Sequence, residues 1–213
     1  MSDPCPVVRA APPDAVPDAL RVRDPAAPLR ELRRAWRGHA ERWVFGYASL
    51  IWRPEFEAAE HRSALVRGWH RALRMRSRVN RGTPEQPGLV FALLPGGACR
   101  GVVYRLRPGR EDEELDRLWA REMPTGVYDP RLLPCQTAAG PVVALAFTLS
   151  RRSEACLPRL PDTELLHILR HARGRYGSTL EYLQETAAAL RARGVRDREI
   201  ERLVDVARRA GLI

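Results

Sequence analysis

The run Trp43-Val44-Phe45-Gly46-Tyr47-Ala48-Ser49-Leu50-Ile51-Trp52 constrains the fold more than any other part of the chain. Its first three residues are aromatic and β-branched, the side chains that suit a buried strand. Gly46 interrupts them, a ring and two small residues follow, and Arg53-Pro54 closes a second apolar group. A strand that ends in this way has two outcomes. It turns tightly and continues as an ordinary strand end, or it leaves successive backbone N–H groups unpaired around one concavity. The second arrangement is a nest that suits an anion or a carbonyl oxygen.

Around this run, strands come first and helices last without a βαβ rhythm, which predicts an α+β fold. Residues 1 to about 26 carry Pro4, Pro6, Pro12, Pro13, Pro17 and Pro25 and read as a mobile arm. Leu29, Leu32 and Trp36 form a helical stripe between residues 28 and 42. Residues 1–40 are therefore expected to be an arm with a short helix, and 41–213 a single domain. A strand-like stretch runs from Leu65 to Val79, and Asn80 to Gly88 is a loop by its Gly and Pro content. Leu89–Leu94 and Gly101–Leu106 read as strands joined by Pro95-Gly96-Gly97, a hairpin signal. Glu111 to Met123 is a helix with an acidic start, and Pro124 disfavours helix at Met123, so the helix should stop after Glu122. A turn-rich link leads to a strand from Val142 to Leu149. Helical patterns over 162–173, 178–193 and 196–210 finish the chain, with Gly194 and Gly211 where C-terminal caps belong.

The formal net charge of +10 would ordinarily suggest nucleic acid as a partner. The chain contains no Lys, however, and its Arg residues are dispersed among acids, as in Arg110-Glu111-Asp112-Glu113-Glu114. That pattern fits a GC-rich coding bias better than a basic binding face, so no nucleic-acid partner is expected. Cys5, Cys99, Cys135 and Cys156 are too far apart for a zinc motif or a disulfide framework and fit a reducing compartment. No apolar run approaches the roughly 18 residues of a membrane span, and the N-terminus lacks a signal-peptide pattern. A cytoplasmic protein without membrane contact is expected. His167 and His171 have metal-ligand spacing, but the Glu of a His-Glu-x-x-His motif is absent, so no metal is expected.

Glu122 is the residue best suited to chemistry. It follows Leu115, Leu118 and Trp119 on one helical face. Loss of solvation and the negative end of the helix dipole both disfavour the carboxylate and raise its pKa. A carboxyl raised in this way serves as a general base or acid near neutrality. The same position also suits a half-exposed Glu whose stem covers Trp119 while its head pairs with an Arg. Ser49 has no His or Asp partner that can be placed from sequence, and reads as a positioning donor rather than a nucleophile.

Taken in order, several blocks resemble the ChaC-type γ-glutamylcyclotransferases. They are Trp43 to Trp52; Arg81-Gly82-Thr83-Pro84 with Gln86-Pro87-Gly88; Gly101 to Leu106; and Trp119 to Met123 with Thr125-Gly126-Val127-Tyr128. A fifth, weaker block is Gly177 to Leu183. The resemblance spans about residues 42–190 and implies a γ-glutamylcyclotransferase-like mixed β-barrel core with surrounding helices. It implies no metal or cofactor and a small-molecule substrate, glutathione or another γ-glutamyl compound. In that reaction the α-amine of the γ-glutamyl unit attacks its own γ-carbonyl, giving 5-oxoproline and, from glutathione, cysteinylglycine. The resemblance makes Glu122 the catalytic carboxylate. It makes Val44, Phe45, Gly46, Tyr47, Ala48, Ser49 and Leu50 the substrate loop, with Tyr182, Arg81 and Tyr128 as further substrate contacts. The family's loop usually reads Tyr-Gly-Ser-Leu, and Ala48 here replaces Gly. If that position needs a positive φ, Ala is strained there; if it serves close approach, the methyl narrows the pocket. Ser178-Thr179 also departs from the family's more polar pattern. A non-catalytic binder of γ-glutamyl ligands or of a protein, or a cyclotransferase for other γ-glutamyl amines or amino acids, are the alternatives.

Overall fold

A computed structural model describes residues 20–213. Cys5 and most of the expected proline-rich arm lie outside them. The first element is helix α1 (Ala26–Trp36), which buries Leu32 and Trp36. It stops short of the helix expected up to residue 42. Strand β1 (Trp43–Gly46) follows, then the one-turn helix α2 (Ser49–Trp52) and the long strands β2 (Ala58–Ser77) and β3 (Gly88–Leu106). Helix α3 (Glu111–Glu122) leads to β4 (Asp129–Thr137) and β5 (Gly140–Thr148). The chain ends in helix α4 (Asp162–His171), the two-residue strands β6 (Arg173–Gly174) and β7 (Gly177–Ser178), and helices α5 (Thr179–Arg191) and α6 (Arg198–Arg209).

Strands β1 to β5 close into a mixed barrel in the order β1-β3-β2-β4-β5. β1 is its closing strand, antiparallel to β3 and parallel to β5 through Trp43↔Ala144 and Val44↔Leu145. Pairing on both edges and packing on both faces leave all four of its residues buried, which is why it reads as a continuous apolar run. The fold is α+β, with helices arranged around a barrel.

The hairpin expected at Pro95-Gly96-Gly97 is not formed. These residues lie within β3, opposite Arg67–Trp69 of β2, where the register shifts. Gly96 and Gly97 have φ of 103° and 73°, and Gly68 across the ladder has φ of 79°. Left-handed glycines on both strands bend the ladder as a bulge, and pairing resumes beyond it. One long bent hairpin therefore replaces two short strands. The turn-rich link also proved to contain a strand, β4, despite Pro130 and Pro134. β2 pairs with β4 only at Cys135–Thr137, so both prolines lie where one edge has no partner strand and a missing N–H is tolerated.

The helix boundaries follow local chemistry. α3 ends at Glu122 as Pro124 requires. Ser178 and Glu181 form a capping box at the start of α5. Gly194 and Gly211 follow α5 and α6 with φ near 67° and 66°, in cap positions. The Gly82–Gly88 loop has a different requirement. A Cβ on Gly88 would overlap the Arg81 carbonyl, and one on Gly82 would overlap the Gly88 amide. Only two glycines let these backbones touch. Thr179 seals the contact, its Oγ1 accepting from Leu89 N–H at 3.0 Å and donating to Arg81 O at 3.4 Å. The loop, the start of β3 and the start of α5 are joined there. Among the described residues, no helix is long and apolar enough to cross a membrane.

Candidate active site

A cavity of about 440 Å³ opens beside the barrel, lined by Ser49, Trp52, Arg81, Glu122, Tyr128 and Tyr182 among others. This lies within the roughly 300–1,000 Å³ typical of small-molecule sites. A recess of about 20 Å³ continues from it, walled by Tyr47, Ala48, Ser49, Leu50, Phe91, Glu122, Tyr128, Phe147 and Tyr182. Ser49, Glu122, Tyr128 and Tyr182 border both spaces. Four separate parts of the chain meet at that junction.

β1 delivers the first part. Its end carries the chain into the single turn of α2, where Ile51 N–H already donates to Ala48 O at 2.8 Å. The N–H groups of Ser49 and Leu50 precede the first intrahelical bond. They belong to the wall of the recess, opposite a carboxylate. The backbone before them is pinned from behind by Arg71, whose side chain is fully buried. Its Nε donates to Tyr47 O, Nη2 donates to Arg100 O, and Nη1 lies 2.7 Å from Asp197 Oδ2. Asp197 in turn caps α6, accepting from Glu199 and Ile200 N–H groups. Ala48 has φ of −143°. The strain expected for an Ala at positive φ therefore does not arise, and what remains is the methyl itself, on the wall of the recess.

α3 delivers the second part. Glu122 ends it with a side chain only 14% exposed, and burial pushes its carboxyl above the usual glutamate range. The adjoining Arg121 acts against burial, with Nε 3.0 Å from Glu122 Oε1, while Glu55 adds to the upward push. The carboxyl is thus desolvated and also paired with an Arg, but it is not the half-exposed side chain of the alternative reading. Arg121 bridges onward to Glu55 Oε2 at 3.2 Å, and Glu55 Oε1 lies 2.5 Å from Arg53 Nε. Glu55 has φ of 57°, the only positive φ outside glycine among the described residues. That backbone state is uncommon for a non-glycine residue, and it places the Glu55 carboxyl on Arg121.

Three buried phenols complete the wall around the carboxylate. Tyr47 Oη donates to Phe147 O at 3.0 Å, and Tyr182 Oη accepts from Phe91 N–H at 3.3 Å. Burial first holds the phenols of Tyr47, Tyr128 and Tyr182 above the ordinary tyrosine value; the Glu122 charge adds to it at all three, after Tyr128 in the case of Tyr47. They remain neutral and serve as hydrogen-bond partners. Arg81 is 6% exposed, donates to Tyr176 O, and places its guanidinium 5.0 Å from the Tyr182 ring centroid and 5.9 Å from that of Trp52. Burial draws its pKa down, but a guanidinium stays charged. It is a buried cation in the wall of the cavity.

Of the residues singled out from sequence, Tyr47, Ala48, Ser49, Leu50, Arg81, Glu122, Tyr128 and Tyr182 are brought together. Val44 and Phe45 are not; they are fully buried in the barrel wall. Gly46 lies beneath the loop, where a Cβ would sit 3.1 Å from both Leu50 Cβ and Tyr104 Cε2. These three carry the loop rather than face the cavity. Sequence reasoning missed Arg121, Glu55 and the cavity-lining Leu20 and Val22. Arg121 had a signal, its adjacency to Glu122; the others had none. The His167 and His171 rings lie 4.6 Å apart, tilted by 41°, with His171 Nδ1 engaged by His167 O. Among the described residues no group of three or more His, Cys, Asp or Glu side chains is gathered as metal ligands would be.

Comparison with known proteins gives a consistent result. A family model described as ChaC-like protein matches residues 42–210. The chain is 36% identical over 163 residues to the glutathione-specific γ-glutamylcyclotransferase of Escherichia coli K12, covering 73% of this chain and 68% of that protein. It is 32% identical over 170 residues to glutathione-specific γ-glutamylcyclotransferase 1 of mouse, covering 76% of each. In structure it is similar to a yeast γ-glutamyl cyclotransferase specific to glutathione. The TM-score is 0.72 at 20% identity, with 79% of this chain and 96% of that one covered.

Proposed function

The chain belongs to the ChaC-like protein family, and on that premise we propose that it is a γ-glutamylcyclotransferase that cleaves glutathione to 5-oxoproline and cysteinylglycine. The observation that carries this reading is the position of Glu122, a nearly buried carboxylate facing the Ala48–Leu50 backbone across a recess that opens into a substrate-sized cavity. The γ-glutamyl group sits at this junction. The N–H groups at the start of α2 hold it and meet the negative charge that develops on the γ-carbonyl oxygen. Glu122 takes a proton from the α-amine as its nitrogen attacks the γ-carbon, and returns one to the departing amide nitrogen as the C–N bond breaks.

Holding amine and carbonyl together can itself supply about 7–11 kcal/mol in well-oriented cases, so no protein nucleophile is needed. Tyr128 and Tyr182 position the substrate, and Arg81 offers a buried positive charge to a substrate carboxylate. Val44, Phe45 and Gly46 act by placing the loop. The dispersed, unpaired cysteines Cys99, Cys135 and Cys156 support a reducing, cytoplasmic setting. Release of 5-oxoproline from glutathione by the purified protein tests the reading; no release from folded protein would overturn it.

Two further results are expected. Arg121 favours the ionised form of Glu122 against burial. Arg121→Gln should therefore move the acid limb of the kcat/KM profile to higher pH, while Arg121→Lys should hold it nearer to wild type. Glu55, Tyr47, Tyr128 and Tyr182 also surround the carboxyl, but none supplies a positive charge to replace the one lost. An unmoved limb would show that Arg121 does not tune the base. Ala48→Gly should widen the recess and change KM or the ranking of γ-glutamyl substrates. Unchanged kinetics across such substrates would show that the methyl does not reach them.

A further inference from the structure

We propose that Leu20 and Val22 are specificity-determining residues that recognise the leaving half of the substrate, the part beyond the scissile amide. The inference rests on the cyclotransferase reading. Both residues line the large cavity, yet both precede residue 42, where the family match begins. Neither borders the recess formed by Ala48, Ser49 and Glu122, at whose junction with the cavity the γ-glutamyl group is held. They therefore face whatever extends from the γ-carbonyl into the larger space.

The segment carrying them is tied down at several points. Val22 N–H donates to Thr125 O at 2.7 Å. Arg23 Nη2 lies 2.8 Å from Asp129 Oδ1 and also donates to Tyr128 O. Trp119 Nε1 donates to Pro25 O at 3.1 Å. These partners belong to α3, which carries Glu122, to the link that follows it, which carries Tyr128, and to Asp129 at the start of β4. Gly126, at φ of 65°, lies against Arg23, where a Cβ would overlap the Arg23 carbonyl. The strap is thus seated on the catalytic elements, and its two apolar side chains line the cavity but not the recess, Val22 remaining 56% exposed to solvent at the cavity's open side.

A cysteinyl side chain is small and weakly polar, and packs on apolar walls as a hydrophobe does. Two aliphatic side chains against it supply binding that is equal in ground and transition states. Their loss should raise KM and leave kcat nearly constant.

The test compares full-length wild type with the Leu20→Ser/Val22→Ser double variant on two substrates, glutathione and γ-glutamylmethylamide. The second carries the same γ-glutamyl group with only methylamine to leave. For glutathione, kcat/KM should fall about tenfold through KM, in line with the effect of small changes in apolar contact. For the methylamide it should change by less than about twofold. Arg23→Ala, which loosens the strap without altering its apolar side chains, should reproduce the glutathione-selective loss more weakly. Parallel losses on both substrates, or no loss on either, would overturn the proposal. Failure of wild type to release 5-oxoproline from either substrate would overturn the cyclotransferase reading, and this proposal with it.

Discussion

Glu122→Gln is expected to lower 5-oxoproline release from glutathione by about 10²–10⁴-fold, the range that a positioned acid–base group contributes. Gln matches Glu in shape and can still accept from Arg121, but it cannot take a proton from the attacking amine. Stability should not fall with activity. Burial holds the Glu122 pKa above its unfolded value. The stability linked to this shift is present below the unfolded pKa and is lost as pH rises through the folded one. Above its raised pKa the wild type carries a desolvated charge that Gln lacks. The variant should melt at or slightly above the wild-type temperature. Thermal unfolding and 5-oxoproline release measured on the same preparation decide the matter. Substantial turnover by folded Glu122→Gln would mean that another group accepts the proton.

Arg71→Met is expected to cost about 3–5 kcal/mol of stability, the usual consequence of removing one partner from a buried ion pair. Its side chain is fully buried, and its loss leaves the Tyr47 and Arg100 carbonyls and the Asp197 carboxylate without their common donor. Met fills much of the volume and supplies no hydrogen bond. Asp197 is 20% exposed and can recover some hydration, which places the loss towards the lower end of that range. It also keeps its role as the cap of α6. The loop that begins at Tyr47 loses its rear anchor, so kcat/KM should fall along with the denaturant midpoint. A shift worth less than about 1 kcal/mol would show that Arg71 is not the clamp described here.

Much of the site was legible before the fold was known. The Glu122 position followed from an apolar stripe and from Pro124, and the burial of β1 followed from its aromatic and β-branched run. The gathering of Arg81, Tyr128 and Tyr182 with them was foreseen only through family resemblance, since the three come from a loop, a link and a late helix. Arg121 was visible as a neighbour of Glu122, but its bridge to Glu55 depends on a positive φ that no residue type at position 55 announces.

Elements whose causes lie within a few residues could be read directly. The end of α3, the cap glycines after α5 and α6, and the acidic start of α3 obey steric and electrostatic rules that act between near neighbours. The α+β class follows from the order of such elements. The long hairpin was misread at Pro95-Gly96-Gly97 because glycines with positive φ suit a turn and a bulge equally well. The partner strand, with Gly68 facing them, determined that they form a bulge. β4 was missed because its prolines are acceptable only where an edge lacks a partner, and that is a property of the sheet. The raised pKa of Glu122, the clamp at Arg71 and the wall formed by Leu20 and Val22 have the same origin. Desolvation, cross-strand pairing and cavity lining are sums over groups far apart in the chain, and those sums exist only once the barrel has closed.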